Sequence, residues 1–377
     1  MGPVQLRFAL AAALACACPA GVSADPGPGE WARAPLAAGV RDALAPVVER
    51  AFTPEEGVGE SRALVVVHGG QLVLESYAPG YDADTRHVSW SMAKSITHAL
   101  VGRLVARGLV DIDDPMPSPF PEGDARADIT WRHWLTMSDG LDYTEIAEPG
   151  VELPLSEQDV VQMMYGPGRF DVVAWIVENC PPLRAPGERF NYSTAGYHLI
   201  ARAVQEVAGT TGDPAATSAW LERELFGPLG MDAVAEYDAA GTLLGGSLVY
   251  ASARDFARFG QLYLQDGVWD GERLLPEGWT DFARRDDVDD GLNIYGAGFW
   301  LSPEVASPAT QQMDPPFDAF HAGGHEGQTI WVVPSRDLVV VRTGLMPNSP
   351  ETWSALFALN QRIARAFPEA TSPSVSP

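Results

Sequence analysis

The chain has 377 residues, of which 46% are hydrophobic and 20% charged, enough for one large domain or a core carrying an inserted second lobe. That balance excludes a disordered chain, and a net charge of −25 argues against nucleic acid or anionic lipid as partners, since both need a basic surface.

The N-terminus reads as an export signal. Arg7 precedes an apolar stretch from Phe8 to Ala17, and Val22-Ser23-Ala24 offers a small-residue cleavage site before Asp25. The stretch is too short to span a bilayer, so residues 1–24 are expected to be removed and the protein exported, to the periplasm or beyond, as a soluble molecule. Cys16 and Cys18 would leave with the signal. Cys180 would then stand alone, without an internal disulfide, as a small buried hydrophobe.

Two β-rich runs follow, Ala63–His68 and Gln71–Ser76, joined by Gly69-Gly70 as the shortest kind of hairpin link. A helix is predicted from Ser91 to Arg107, closed by Gly108, with Ile96, Leu100, Leu104 and Val105 as its inner stripe. After Asp111 the pattern is helical: Thr130–Met137, Val172–Glu178, Ala195–Ala208 and Thr217–Leu225. The β pattern returns near Gly245-Gly246-Ser247-Leu248-Val249, then in Thr329–Val333 and Leu338–Thr343. A last amphipathic helix starts at Ser349-Pro350-Glu351, with serine as cap and proline in the first turn, and runs to Phe367. The polar, proline-bearing tail, residues 369–377, is expected to be disordered. The expected architecture is an α/β (α+β) fold: an antiparallel sheet flanked by helices, built from residues 25–114 and 243–368, with a mostly helical lobe inserted at 115–242.

One residue stands out against this background. Of 25 basic residues, Lys94 is the single lysine, and it lies three positions after Ser91 on the first predicted helix. A chain that meets its ordinary need for positive charge with arginine keeps lysine where arginine cannot serve. Lysine can lose its proton when buried; arginine stays charged. Ser-x-x-Lys on a helix puts hydroxyl and amine one turn apart on one face. Chance would place the lone lysine at this spacing roughly one time in twenty. The pattern points to a serine nucleophile with a lysine base. Such a base needs its pKa of about 10.4 lowered by some three units, roughly 4 kcal/mol of desolvation or nearby charge.

The segments that carry chemistry resemble the serine β-lactamase and penicillin-binding-protein-like superfamily, in particular class C β-lactamases, family VIII esterases and 6-aminohexanoate-dimer hydrolases. The resemblance spans Val65 to Thr343. It rests on Ser91-Met92-Ala93-Lys94-Ser95, on Ile129–Met137, on Pro186-Gly187-Glu188-Arg189-Phe190-Asn191-Tyr192-Ser193-Thr194, on Leu225–Met231 and on Gly324-His325-Glu326-Gly327-Gln328. It implies a two-lobed β-lactamase-like fold and an acyl-enzyme on Ser91, with Lys94 and Tyr192 as general acid–base pair. It also implies an oxyanion hole from the Ser91 N–H and a second amide, for which Gly324 and His325 are both candidates.

Two departures bear on substrate. Where β-lactamases carry the asparagine of Tyr-x-Asn, this chain has Thr194, and the third motif is the lysine-free His321-Ala322-Gly323-Gly324. Both turn the expectation from lactams toward a small-molecule ester or small linear amide. A β-lactamase or D-alanyl-D-alanine carboxypeptidase is the nearest alternative, and a catalytically silent binding or sensor module the more distant one. His321 either lies near the substrate or packs at its strand end. Tyr143, after the Ser138-Asp139-Gly140 turn, either lines the cleft or belongs to that turn, and Trp331 is either core or pocket wall. The seven histidines show no metal-ligand spacing and there is no nucleotide-type phosphate loop, so neither metal nor cofactor is expected.

Overall fold

The computed structural model of the protein describes residues 31–53, 58–145, 154–301 and 318–370. The expected export signal and the last seven residues lie outside them.

Five antiparallel strands form the main sheet. β1 (Glu60–His68) and β2 (Gln71–Tyr77) make the N-terminal hairpin, and Gly69 and Gly70 both adopt the positive φ (59° and 70°) that a two-residue link demands. Two short sheets separate this hairpin from the C-terminal strands. β3 (Arg86–Val88), β4 (Val234–Ala235) and β5 (Val249–Ser252) form one, and β6 (Val268–Trp269) pairs with β7 (Glu272–Arg273) in the other. β8 (Phe320–Gly324), β9 (Gln328–Val333) and β10 (Leu338–Leu345) complete the main sheet in the order β2-β1-β10-β9-β8, so the two ends of the chain pair through β1 and β10.

Both faces of this sheet are covered. Ala63, Val65, Val67, Val339, Val341, Ile330 and Val332 face one core, while Leu64, Val66, Leu338, Val340, Trp331 and Val333 face the other. The runs therefore read as continuously apolar, without polar alternation. Helix α1 (Ala38–Ala51) packs on α11 (Pro350–Ala366) over the second face. On the first face lie α2 (Met92–Ala106) and α9 (Ala253–Leu264), where Gly260 brings α9 so close that a Cβ there would stand 2.6 Å from Val339.

Between α2 and β4 the described residues hold helices, turns and isolated bridges: α3 (Trp131–Leu135), α4 (Asp159–Met164), α5 (Val172–Asn179), α6 (Thr194–Ala208), α7 (Pro214–Leu221) and the short α8 (Gly227–Leu229), which follows a π-helical turn at Glu222–Phe226. α10 (Trp279–Ala283) comes later, after β7. One apolar cluster runs from the sheet through α2 into these helices, so α2 is the spine of the molecule.

Three expectations change. Helix α2 has no single inner stripe: Met92 to Leu104 are all buried, and Val105 is only half-buried, because sheet and helices enclose it from every side. Helix α9 was not anticipated, although Ser252 and Asp255 form a capping box that is visible in sequence. The tail begins tied down: the Ala370 N–H donates to the Ser335 carbonyl, and Glu369 pairs with Arg336.

Candidate active site

Ser91 sits at the entry to α2, partly exposed, and the chain reaches it through a strained residue. Trp90 has φ 45°, a left-handed conformation that costs a non-glycine residue about 1–3 kcal/mol. Packing holds it there. Gly324, at the end of β8, lies so close that a Cβ on it would stand 2.3 Å from the Ser89 carbonyl oxygen, and the His325 ring meets the Trp90 indole edge-on at 5.4 Å.

One turn into α2, Lys94 is 1% exposed. Its Nζ donates to Ser91 Oγ at 2.9 Å, to Thr194 Oγ1 at 2.7 Å and to the Gly246 carbonyl at 2.8 Å. Thr194 begins α6, whose N-cap Ser193 accepts from the Gly196 N–H. The Gly245-Gly246 pair lets the segment before β5 close on both helices: a Cβ on Gly245 would stand 2.5 Å from Thr97 Oγ1, and one on Gly246 2.9 Å from the Thr194 carbonyl oxygen. Burial lowers the Lys94 pKa to about 8, and the charge of Glu145 works against that shift.

Glu145 is a site residue that the sequence did not disclose. Its Oε2 accepts from the Thr194 N–H at 2.7 Å and its Oε1 from the Thr194 hydroxyl at 2.8 Å. A lone acid in a loop carries no spacing signal, so nothing in the primary structure pointed to it.

Tyr192 comes to the same place, with its ring centre 4.9 Å from Lys94 Nζ. Burial, with the nearby Glu145 charge, holds its phenol well above 10, against a hydrogen bond with Ser91 that lowers it. Tyr192 is therefore a neutral phenol at physiological pH. Its ring stacks on Trp300 (5.1 Å, 18°) and meets Tyr295 edge-on, and Phe190 packs on Tyr295 at 5.2 Å, giving one aromatic wall.

Among the remaining candidates, Gly324 and His325 lie against the residues just ahead of Ser91, as described. His321 does not. Alternation along β8 turns its ring to the far face of the sheet, stacked on Trp331 at 5.4 Å and edge-on to Phe357. Of its two readings the packed one describes the molecule, and burial drives its pKa down to about 3. Trp331 is core on that same face. Tyr143 is buried in the main core, and its carbonyl accepts from the Asn191 amide at 3.0 Å; it positions a loop and does not line an open cleft. Cys180 is buried, with its thiol pushed up to about 12.

Fold and site together define a hydrolase of the β-lactamase fold. The chain belongs to the Beta-lactamase family, whose model matches residues 53–351. It is 26% identical over 313 residues to the 6-aminohexanoate-dimer hydrolase of Paenarthrobacter ureafaciens, covering 78% of this chain and 75% of that protein. Among solved structures, a D-stereospecific amidohydrolase from Streptomyces sp. superposes with a TM-score of 0.57 at 18% identity, covering 85% of this chain and 97% of that one. A penicillin-binding protein homolog from Caulobacter crescentus gives 0.61 at 15% identity, covering 87% and 99%. At these identities the structural matches speak for the fold alone.

Proposed function

We propose that the protein is an exported serine hydrolase that cleaves an ester or small linear amide through an acyl-enzyme on Ser91. The observation that carries this reading is the hydrogen-bond bookkeeping around Lys94. Thr194 gives its hydroxyl hydrogen to Glu145, so toward Lys94 its oxygen can only accept, and the Gly246 carbonyl can only accept as well. A neutral amine has two N–H groups and one lone pair. The two N–H groups satisfy those partners, and the lone pair is left for the Ser91 hydroxyl. With a pKa near 8, about one amine in ten is neutral at pH 7, against fewer than one in a thousand for an ordinary lysine.

In this reaction Lys94 takes the Ser91 proton as Oγ attacks the substrate carbonyl carbon. The carbonyl oxygen becomes an oxyanion held by the Ser91 N–H and an amide at Gly324 or His325. When the bond to the leaving group breaks, a proton passes from the Lys94 ammonium, through the Tyr192 hydroxyl, to the departing alkoxide or amine. Water then repeats the sequence on the acyl-enzyme and releases the acid. Thr194 supports the preference over lactams, because its hydroxyl is spent between Lys94 and Glu145 and has no free amide to offer a lactam side chain. The name of the 6-aminohexanoate-dimer hydrolase relative is in keeping with that preference.

The test is a fluorophosphonate adduct mapped by mass spectrometry, followed by kcat/KM for a p-nitrophenyl ester and for nitrocefin. An adduct on Ser91 and a larger constant for the ester are expected. An adduct on Ser138 or Ser193 would overturn the nucleophile, and a larger constant for nitrocefin would move the reading to a β-lactamase. Export is checked by the N-terminus of the secreted protein, expected at Asp25.

A further inference from the structure

Arg342, in β10, is 0% exposed and sits in the middle of the sheet, with no hydrogen-bonded carboxylate among the described residues. All its donors go instead to a hydroxyl and four carbonyls. Nε donates to Ser61 Oγ at 3.2 Å, one terminal nitrogen to the carbonyls of Glu326 (3.1 Å) and Gly327 (2.9 Å), and the other to those of Val58 and Glu60 (both 2.9 Å). Beside it, the Gln328 amide donates to the His325 carbonyl at 3.1 Å and the Gly344 carbonyl at 2.7 Å, and its oxygen accepts from the Gly344 N–H. The three consecutive carbonyls of the turn His325–Gly327 are thus all held by buried side chains. The turn is not one the backbone would choose: Glu326 has φ 61° and Gly327 φ 80°, and a Cβ on Gly327 would stand 2.6 Å from the guanidinium.

A buried cation is expensive, and carbonyl partners repay it less than a carboxylate would. An apolar side chain of similar volume would fill the same space in the sheet. What the guanidinium adds is five donors in a fixed fork, aimed at a strained turn. Gly324 leads into that turn and His325 opens it; Gly324 presses on Ser89 and Trp90 and the His325 ring on Trp90, just ahead of Ser91. We propose that Arg342, assisted by Gln328, is a positioning residue that fixes the turn after β8 and so sets the place of the second oxyanion amide relative to Ser91. This rests on the acyl-enzyme reading above, and it adds a residue on the far side of the turn from the cleft. Burial lowers the Arg342 pKa to about 10, so the fork stays charged at neutral pH.

The test uses Arg342→Met, Arg342→Lys and Gln328→Leu in the full chain. Active sites are counted by the end-point stoichiometry of fluorophosphonate, and each protein is assayed on a p-nitrophenyl ester and against a boronic acid that mimics the tetrahedral adduct. For Arg342→Met, kcat per titrated site should fall about 10²-fold, the cost of a displaced catalytic group, with KM within about threefold of wild type. Boronate affinity should fall in the same proportion as kcat, and Arg342→Lys should recover part of both. Gln328→Leu should show the same pattern at smaller size, and it carries the test if the methionine variant does not fold. Unchanged kcat and boronate affinity per titrated site, with losses confined to Tm and titratable fraction, would reduce Arg342 and Gln328 to fold stabilisers. A wild-type enzyme that takes no label would instead fail the acyl-enzyme reading, independently of Arg342.

Discussion

Among the described residues two cations are fully buried, Lys94 and Arg342, and they are handled in opposite ways. Lys94 stands between α2, α6 and the Gly245-Gly246 segment with three partners, two of which can only accept. Arg342 stands in the sheet with every donor occupied by oxygen. Burial lowers both pKa values, to about 8 and about 10. The lysine thereby reaches the range where it can give up its proton, and the guanidinium does not. The difference teaches how to read a buried charge: the side chain that can discard its proton is placed where a lone pair is useful, and the one that cannot is placed where five fixed donors are.

The sharpest way to break the comparison is to make the first region resemble the second. Lys94→Arg keeps charge and reach but removes any lone pair at pH 7. It should lose at least about 10³-fold in kcat/KM, nearly as much as Lys94→Ala, with both variants folded by circular dichroism. An arginine variant with substantial activity would mean that the site wants only a positive charge.

Next in size is Tyr192→Phe, which removes the hydroxyl and leaves the ring on Trp300. Loss of a proton relay should cost about 10²–10⁴-fold in kcat, with little change in Tm. Near-full turnover would return Tyr192 to the aromatic wall alone.

Glu145→Gln asks how the lysine site is tuned. Because the Glu145 charge raises the Lys94 pKa, removing it should lower that pKa further. The acid limb of kcat/KM, which in the wild type should rise with pH through about 8, should then move to lower pH. A loss of up to about tenfold at the plateau is expected, from a Thr194 hydroxyl that is no longer fixed. A limb that stays in place would dissociate Glu145 from the lysine. The single lysine makes an independent check possible, since amine labelling reports only Lys94 and the mature N-terminus.

The smallest effect concerns a buried group outside both regions. Asp139 has its pKa raised to about 6 by burial. A raised carboxyl pKa means that the folded state holds its proton longer than the unfolded one, so this group costs stability increasingly as pH rises from about 4 to 6, and fully above that. Asp139→Asn should therefore raise Tm by a few degrees at pH 7.5, where up to about 3 kcal/mol is at stake, and do little at pH 4. A gain of the same size at both pH values would mean that packing, and not charge, is responsible.

Much of this molecule was legible in one dimension because its signals are local. Gly69-Gly70 can form only a tight link, Ser349-Pro350 starts a helix, and a lone lysine one turn after a serine states a chemical need without reference to any other part of the chain. The main sheet built from the two ends of the chain followed from the β-rich pairs at both ends with helices between them. What the tertiary structure alone decided are the partners. Thr194 looked like a lost asparagine until Glu145, 49 residues earlier, claimed its hydrogen and turned it into an acceptor for Lys94. His321 had two readings until strand alternation sent its ring to the far side of the sheet. Arg342 passed as one of 24 arginines, in a strand whose neighbours are valines and a threonine, and only the fold shows its fork closed on the turn behind Ser91. Residue type and local spacing fix what a side chain can do. Which of its donors, acceptors and protons remain free depends on groups that meet it only when distant segments pack together.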